Sequence, residues 1–275
     1  MNKNKLILGA IAGDVIGSVF EFNNVKTTDF DLFCPKSTFT DDTVLTVATM
    51  DAILNKKDYA KTYKEYGLKY PNRGYGNRFQ QWLNSKSLEP YNSYGNGSAM
   101  RVSPIGWSHK ISFNESIGCM SWQADKLEEK AIKSAICTHN HEEGIKGACA
   151  VTIAVFAIKG MTKKKLKKYI KDWYGYNLNR KLDDIRLTYK FNETCQGSVP
   201  EAIIAFLESD NFEHAIRLAI SIGGDSDTIA CITGGIAEAY YKEIPEYIID
   251  NVLERLPQEF IDTIEKFSKK YSTKE

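Results

Sequence analysis

Two short segments concentrate carboxylates where a helix begins. Thr38-Phe39-Thr40-Asp41-Asp42-Thr43 stands directly before the apolar stretch Val44–Leu54, and Gly223-Gly224-Asp225-Ser226-Asp227-Thr228 directly before Ile229–Tyr241. Each sets two acids and a hydroxyl at the positive end of a helix dipole. N-capping by Asp42 and Asp227, at about 0.3–1 kcal/mol each, accounts for one acid per helix. It gives no reason for Asp41 and Asp225. If the two helices pack side by side, four carboxylates converge. Like charges about 4 Å apart repel by roughly 4 kcal/mol at an effective dielectric of about 20. Protonation or bound cations would relieve that repulsion, and two divalent ions would neutralise all four charges. Carboxylates with threonine hydroxyls, and no thiolate nearby, suit hard cations such as Mg²⁺ or Mn²⁺ better than zinc. On spacing alone, capping and metal binding are both open.

A third segment, Ser93-Tyr94-Gly95-Asn96-Gly97-Ser98-Ala99-Met100-Arg101, is punctuated by glycines and opens toward a new apolar stretch. Glycines let backbone N–H groups turn toward an anion, and small side chains allow a phosphate to approach. It is not a P-loop, because no GK[ST] follows and no strand precedes it.

The elements that must position these groups read as helices. Leu6–Phe20 is apolar nearly all round, with Gly9, Gly13 and Gly17 on one face where a second backbone can approach, so a central buried helix is predicted. Asp14 interrupts it, which argues against a removable leader and predicts a hydrogen-bonding role for the carboxylate. Further helices are predicted at Thr43–Leu54, within Asn114–Cys137, and at Glu143–Ile158, Thr162–Trp173, Pro200–Leu207, Phe212–Ile220, Thr228–Tyr241 and Pro245–Lys269. Alternation suggests a strand only at Ile185–Phe191. Lys163, Lys164, Lys165, Lys167 and Lys168 read as a solvated helix face. No repeat or linker breaks the chain, so one all-α domain over residues 1–275 is expected.

Composition bounds the rest. The 275 residues are 43% hydrophobic and 26% charged, with a net charge of +1. That excludes intrinsic disorder and gives no electrostatic argument for a stable nucleic-acid partner. The six cysteines include no CxxC pair, which suits reduced thiols. No stretch approaches the roughly 20 apolar residues of a membrane span. A cytoplasmic monomer with no membrane association is expected.

Taken together, these segments resemble the ADP-ribosylglycohydrolase family, which includes dinitrogenase-reductase-activating glycohydrolases and the ADP-ribosyl-arginine and ADP-ribosyl-serine hydrolases. The resemblance runs through Gly9–Gly17 with Glu21, Thr40–Thr43, Tyr75–Trp82, Gly95–Arg101, Thr138-His139, Cys195–Pro200, Gly223–Thr228 and Ile236–Tyr241. It implies a compact all-α fold holding two Mg²⁺ or Mn²⁺ ions in a cleft that binds ADP-ribose. By motif, Thr40, Asp41, Asp42, Asp225, Asp227 and Thr228 would be the metal ligands. Glu21 matches the acid of a loop beside the metals. Ser93, Tyr94, Gly95, Asn96, Gly97 and Ser98 would bind the diphosphate and distal ribose, Tyr94 stacking on adenine, and His139 would line the cleft. Asp225 or Asp227 would act as base toward water, which with Glu21 completes the catalytic set.

The activity this implies is hydrolysis of the glycosidic bond between ADP-ribose and a modified protein side chain, arginine first, with ADP-ribose as product. Alternatives are an O-linked serine, small-molecule or nucleic-acid ADP-ribose substrate, a non-catalytic ADP-ribose binder, or a metal-dependent phosphohydrolase using the same acids.

Overall fold

The computed structural model describes residues 3–109 and 117–272. Their regular elements are helical, apart from a one-turn 3₁₀ segment at Lys3–Lys5 and one isolated antiparallel bridge between Gly95 and Thr194. The helices are α1 (Gly9–Gly17), α2 (Asp41–Asn55), α3 (Tyr59–Lys69), α4 (Asn77–Asn84), α5 (Gly97–Met100), α6 (Ser103–Trp107), α7 (Ile117–Ile136) and α8 (Glu142–Ile158). The second half adds α9 (Lys163–Tyr174), α10 (Leu182–Thr188), α11 (Cys195–Glu208), α12 (Phe212–Ser221), α13 (Ser226–Tyr241), α14 (Glu246–Leu253) and α15 (Gln258–Tyr271). Residues 114–116, the start of one predicted stretch, lie outside the described residues.

The centre is α1 packed on α13. Every residue of α1 is buried, and the glycine face allows backbone-to-backbone contact. A Cβ at Gly9 would lie 2.4 Å from the Gly234 carbonyl oxygen, at Gly13 2.0 Å from that of Ala230, and at Gly17 2.5 Å from Asp227 Cα. The pairing descends along α13 as it ascends α1, so the two helices run antiparallel. Glu238 seals one end of the pair, accepting hydrogen bonds from the backbone N–H groups of Leu8 (3.0 Å) and Gly9 (2.8 Å), where an anion is favoured by the helix dipole. At the opposite end the start of α13, with Asp225 and Asp227, meets the exit of α1 toward Glu21.

Two predicted features need correction. Ile185–Phe191 does not form a strand: its first four residues complete α10. Leu182 and Ile185 are buried at helical spacing while Leu187 is 85% exposed, and Asp183 and Asp184 occupy the first turn, where acids favour a helix. The apparent alternation came from an apolar residue that faces solvent. Nor is the lysine run of α9 solvated throughout. Lys164, Lys165 and Lys168 are exposed, but Lys163 Nζ donates to the carbonyls of Phe206 (2.9 Å) and Ser209 and to the Tyr241 hydroxyl (2.8 Å). Burial pushes its pKa down to about 8. Elsewhere, α11 begins five residues before the predicted Pro200, capped by the Thr194 side chain. Among the described residues, no helix is long and apolar enough to cross a membrane, and Cys34, Cys137, Cys149, Cys195 and Cys231 are free thiols.

The α1–α13 contact is the most exacting in the molecule. Gly13→Ala should lower stability by about 3 kcal/mol, the upper range for an overpacked core, because the obstructing atoms are backbone and cannot rotate away. Urea denaturation of the variant against wild type measures this.

Candidate active site

Asp14 organises the site from inside α1. Fully buried, it accepts hydrogen bonds from Thr40 N (3.0 Å), Thr40 Oγ1 (2.6 Å) and Thr43 N (3.0 Å), and from the Thr43 hydroxyl. Those four bonds tie the first turn of α2 to α1, as its place in the sequence predicted. Since α1 also carries α13, the two acid-bearing helix starts are brought against one another.

The result is a dense group of carboxylates. Oxygens of Asp14, Asp42 and Asp227 lie within 4.8 Å of one another, and so do those of Glu21, Asp225 and Asp227. Asp227 belongs to both groups. Thr228 Oγ1 donates to Asp42 Oδ2 (3.1 Å), while the buried Asp42 Oδ1 has no hydrogen-bond partner. Asn96 reaches across from the glycine-rich loop, its Nδ2 donating to Asp225 Oδ2 (2.6 Å) and to Ser198 Oγ (3.0 Å). Burial, with Asp14 and Asp225 alongside, pushes the Asp41 carboxyl well above its usual range. Burial and Asp14 do the same to Asp42, and burial and Asp225 to Asp227. Glu21, half-buried beside Asp225, is raised to about 7 by burial first and that neighbour second.

These groups line a cavity of about 420 Å³. Of the residues singled out in the sequence, Glu21, Asp41, Asp42, Asp225, Asp227, Thr228, Ser93, Gly95, Asn96, Gly97 and His139 all lie on its wall. The bridge between Gly95 and Thr194 fixes the glycine-rich loop: Asn96 N donates to Glu193 O (2.7 Å) and Cys195 N to Tyr94 O (3.0 Å). His139 stands against that loop, its Nε2 3.3 Å from where a Cβ of Gly97 would be. Thr40, Tyr94 and Ser98 lie off the wall. The Thr40 hydroxyl is spent on Asp14 and on capping α2. Ser98 is fully buried and donates to Gly144 O (2.7 Å). The Tyr94 ring is 46% exposed and packs near His141.

The cavity also holds two arginines that lie within the sequence motifs but were given no role there. Arg101 has no exposed surface. Its Nη2 donates to Ser134 O (2.8 Å) and Thr138 Oγ1 (2.9 Å), the guanidinium lies 4.2 Å from the Tyr63 ring centroid, and Nε and Nη1 have no partner. No carboxylate pairs with it among the described residues. Arg78 lies over the Tyr91 ring and donates to the Tyr91 carbonyl. Burial, aided by Arg101 and Arg78, pushes His139 well below its usual range, so its ring is neutral near pH 7. Phe22, Phe191 and Glu193 complete the mouth. Arg101 closes the glycine-rich motif and Arg78 lies within Tyr75–Trp82, so both were visible in the sequence; Phe22, Phe191 and Glu193 are placed only by the fold.

The unpartnered Asp42 Oδ1, a donor set made entirely of oxygens and two convergent carboxylate groups fit hard divalent cations. Without such ions, the raised carboxyls dictate a pH dependence. A folded-state pKa above the unfolded value means that the native state binds more protons, so its stability falls as pH rises. For Glu21 the fall runs from about 4.5 to about 7; for Asp41, Asp42 and Asp227 it continues upward from about 3.8. The chelator-treated protein should therefore melt at a higher temperature at pH 5 than at pH 7.5. Thermal denaturation at the two pH values tests this; an unchanged or opposite order would show that these carboxyls are not raised in the native state.

The all-helical fold thus sets the carboxylates of two helix starts against a glycine-rich loop across one cavity. A family model for ADP-ribosylglycohydrolase matches residues 5–275, and the chain belongs to that family; it is an enzyme that hydrolyses glycosyl bonds of ADP-ribose. The chain is similar to the ADP-ribosylhydrolase ARH3 of Mus musculus, at 26% identity over 87% of this chain and 84% of the relative. It is also similar to those of Gallus gallus (28%; 86% and 84%) and Homo sapiens (27%; 87% and 86%). A solved ADP-ribosylglycohydrolase-related protein complex shares the fold, with a TM-score of 0.69, 20% identity, and coverage of 98% of this chain and 97% of that one.

Proposed function

We propose that this enzyme cleaves the bond between C1″ of ADP-ribose and a protein side chain, arginine first, and that two Mg²⁺ ions, or Mn²⁺, complete its site. The observation that carries this is the meeting of Glu21, Asp42, Asp225 and Asp227 in one cavity that also presents Arg78 and Arg101. Thr40, Asp41, Asp42, Asp225, Asp227 and Thr228 would hold the ions, the Thr40 hydroxyl being oriented by its bond to Asp14. When bound, the ions supply neutralisation of the acids, polarisation of the ribose hydroxyls and a lowered pKa for a water at the site.

The chain's own residues divide the remaining work. The diphosphate is drawn to the Arg78, Arg101 and His139 side, where Ser93, Gly95, Asn96 and Gly97 present the loop. The adenine extends past it toward the exposed Tyr94, with Ser98 buttressing the loop from within. That polarity leaves the ribose C1″ at the acids. As the glycosidic bond breaks, positive charge develops on the sugar, and neighbouring carboxylates stabilise it. Asp225, its Oδ2 held by Asn96, takes a proton from the attacking water as the new C1″–O bond forms. Glu21, at the mouth beside Asp225, is placed to pass a proton to the departing nitrogen or oxygen. The carboxylate of Glu193 at the mouth favours a guanidinium acceptor. A second reading, that the acceptor is the one used by the ARH3-named relatives, is supported by identities of 26–28% over most of the chain.

Incubation with arginine-, serine- and DNA-linked ADP-ribose, with and without Mg²⁺, tests the proposal. Release of ADP-ribose from the arginine-linked protein is expected only with the ion. Asp225→Ala should lower kcat by about 10²–10⁴. If the label is released from serine but retained on arginine, the acceptor assignment falls; if it is retained on all three, the activity falls. Arg78→Ala should weaken ADP-ribose binding about tenfold in calorimetry while ribose binding is unaffected. Equal affinity in the variant would remove Arg78 from the diphosphate subsite.

A further inference from the structure

Glu21 sits on a connection between α1 and α2, not on a helix, so something must hold its carboxylate over the cavity. Three residues further on, Asn24 pairs with the backbone of Gly224 as one strand pairs with another. Its Oδ1 accepts from Gly224 N (2.7 Å) and its Nδ2 donates to Gly224 O (2.9 Å). The same amide donates to the carbonyls of Phe20 (2.7 Å) and Glu21 (2.9 Å). Lys26 reinforces the join, its ammonium donating to Ile222 O and to Tyr189 O (2.9 Å). Phe22 and Phe191 stack across the mouth at 6.2 Å. Gly223 and Gly224 both have left-handed backbones, and a side chain at Gly224 would strike the Tyr189 ring at 2.5 Å. The glycine pair is therefore shaped to present its backbone to Asn24.

Neither Asn24 nor Lys26 lines the cavity. Both join the segment that carries Glu21 to the turn that carries Asp225. We propose that Asn24 and Lys26 are positioning residues, a clasp that sets the Glu21 carboxylate against Asp225 and so fixes the distance between proton donor and base. The proposal rests on the glycohydrolase activity of the same cavity. Asn24 is exposed and touches the buried Gly224 only through its side-chain amide, so its truncation removes no apolar core contact. What it releases is the register of Glu21, and misplacement of a reacting group by about 1 Å can cost on the order of 100-fold in rate.

The test pairs turnover with a readout independent of it. In Asn24→Ala and Lys26→Met, kcat for the ADP-ribosylated substrate should fall about 10- to 100-fold while the Kd for ADP-ribose stays within about twofold. Hydrogen exchange at the Gly224 amide should accelerate in Asn24→Ala, and Lys26→Arg, which keeps donors for both carbonyls, should restore kcat. A kcat within about twofold of wild type in Asn24→Ala, despite faster Gly224 exchange, would overturn the clasp. So would a loss of ADP-ribose affinity as large as the loss of kcat, or Gly224 exchange that does not change. The exchange measurement needs no turnover, so it decides the clasp even if wild-type enzyme releases no ADP-ribose, a result that would sink the proposed function instead.

Discussion

The close approach of α1 to α13 is the constraint from which the site follows. Gly9, Gly13 and Gly17 let the two backbones touch over the length of α1, and any side chain there would meet main-chain atoms. Helix pairs with ordinary side chains between them stand about 8–10 Å apart; this one must be closer. Antiparallel packing at that distance leaves α13 no freedom to slide, so Asp225 and Asp227 arrive at one place, beside the end of α1. Asp14 then uses the same helix to fix α2, through four hydrogen bonds to two threonines. One short helix thus sets the positions of both acid clusters.

Bringing carboxylates together in this way opposes folding. Each must leave water, which disfavours its charge, and each raises the cost of ionising the next. The fold withstands this because the acids sit at the edge of a continuous apolar core that reaches from Leu6 to Phe267, and because three of them, Asp41, Asp42 and Asp227, lie in helix first turns where the dipole favours anions. Neither compensation gives Asp42 Oδ1 a hydrogen-bond donor. A centre that is poorly satisfied in isolation is ready to gain from a cation, and the same incompleteness makes it useful for catalysis.

How far this was legible in the sequence depends on the range of the interactions involved. The glycine face of α1 and the acid pairs before Val44 and Ile229 are local patterns, and the elements they imply are present. Asp14 could be read because a carboxylate inside an otherwise apolar helix needs partners. By contrast, Arg101 owes its environment to Tyr63, Ser134 and Thr138, and Phe191 and Glu193 reach the cavity through the bridge between Gly95 and Thr194. No periodicity encodes such pairings. The strand expected at Ile185 failed because alternation over a few residues fits a helix with one exposed leucine equally well. Lys163 was misjudged for a related reason: a run of like charges says nothing about which member points back into the protein.

The cavity's cations and anions bear on more than affinity. A uniformly acidic cavity would repel a diphosphate, and a uniformly basic one would hold it in either direction. Here Arg101 carries a charge that no carboxylate in the described fold neutralises, and it is stacked on Tyr63 so that it cannot turn toward the acids. Asn96 stands between the two regions, with its backbone N–H joined to Glu193 and its side chain joined to Asp225. Charge alone sets no direction for ADP-ribose, because its diphosphate lies between two uncharged groups, the adenosine and the distal ribose. What the arrangement fixes is position: arginines on one side of the cavity and the carboxylates on the other, with Asn96 held against Asp225 between them.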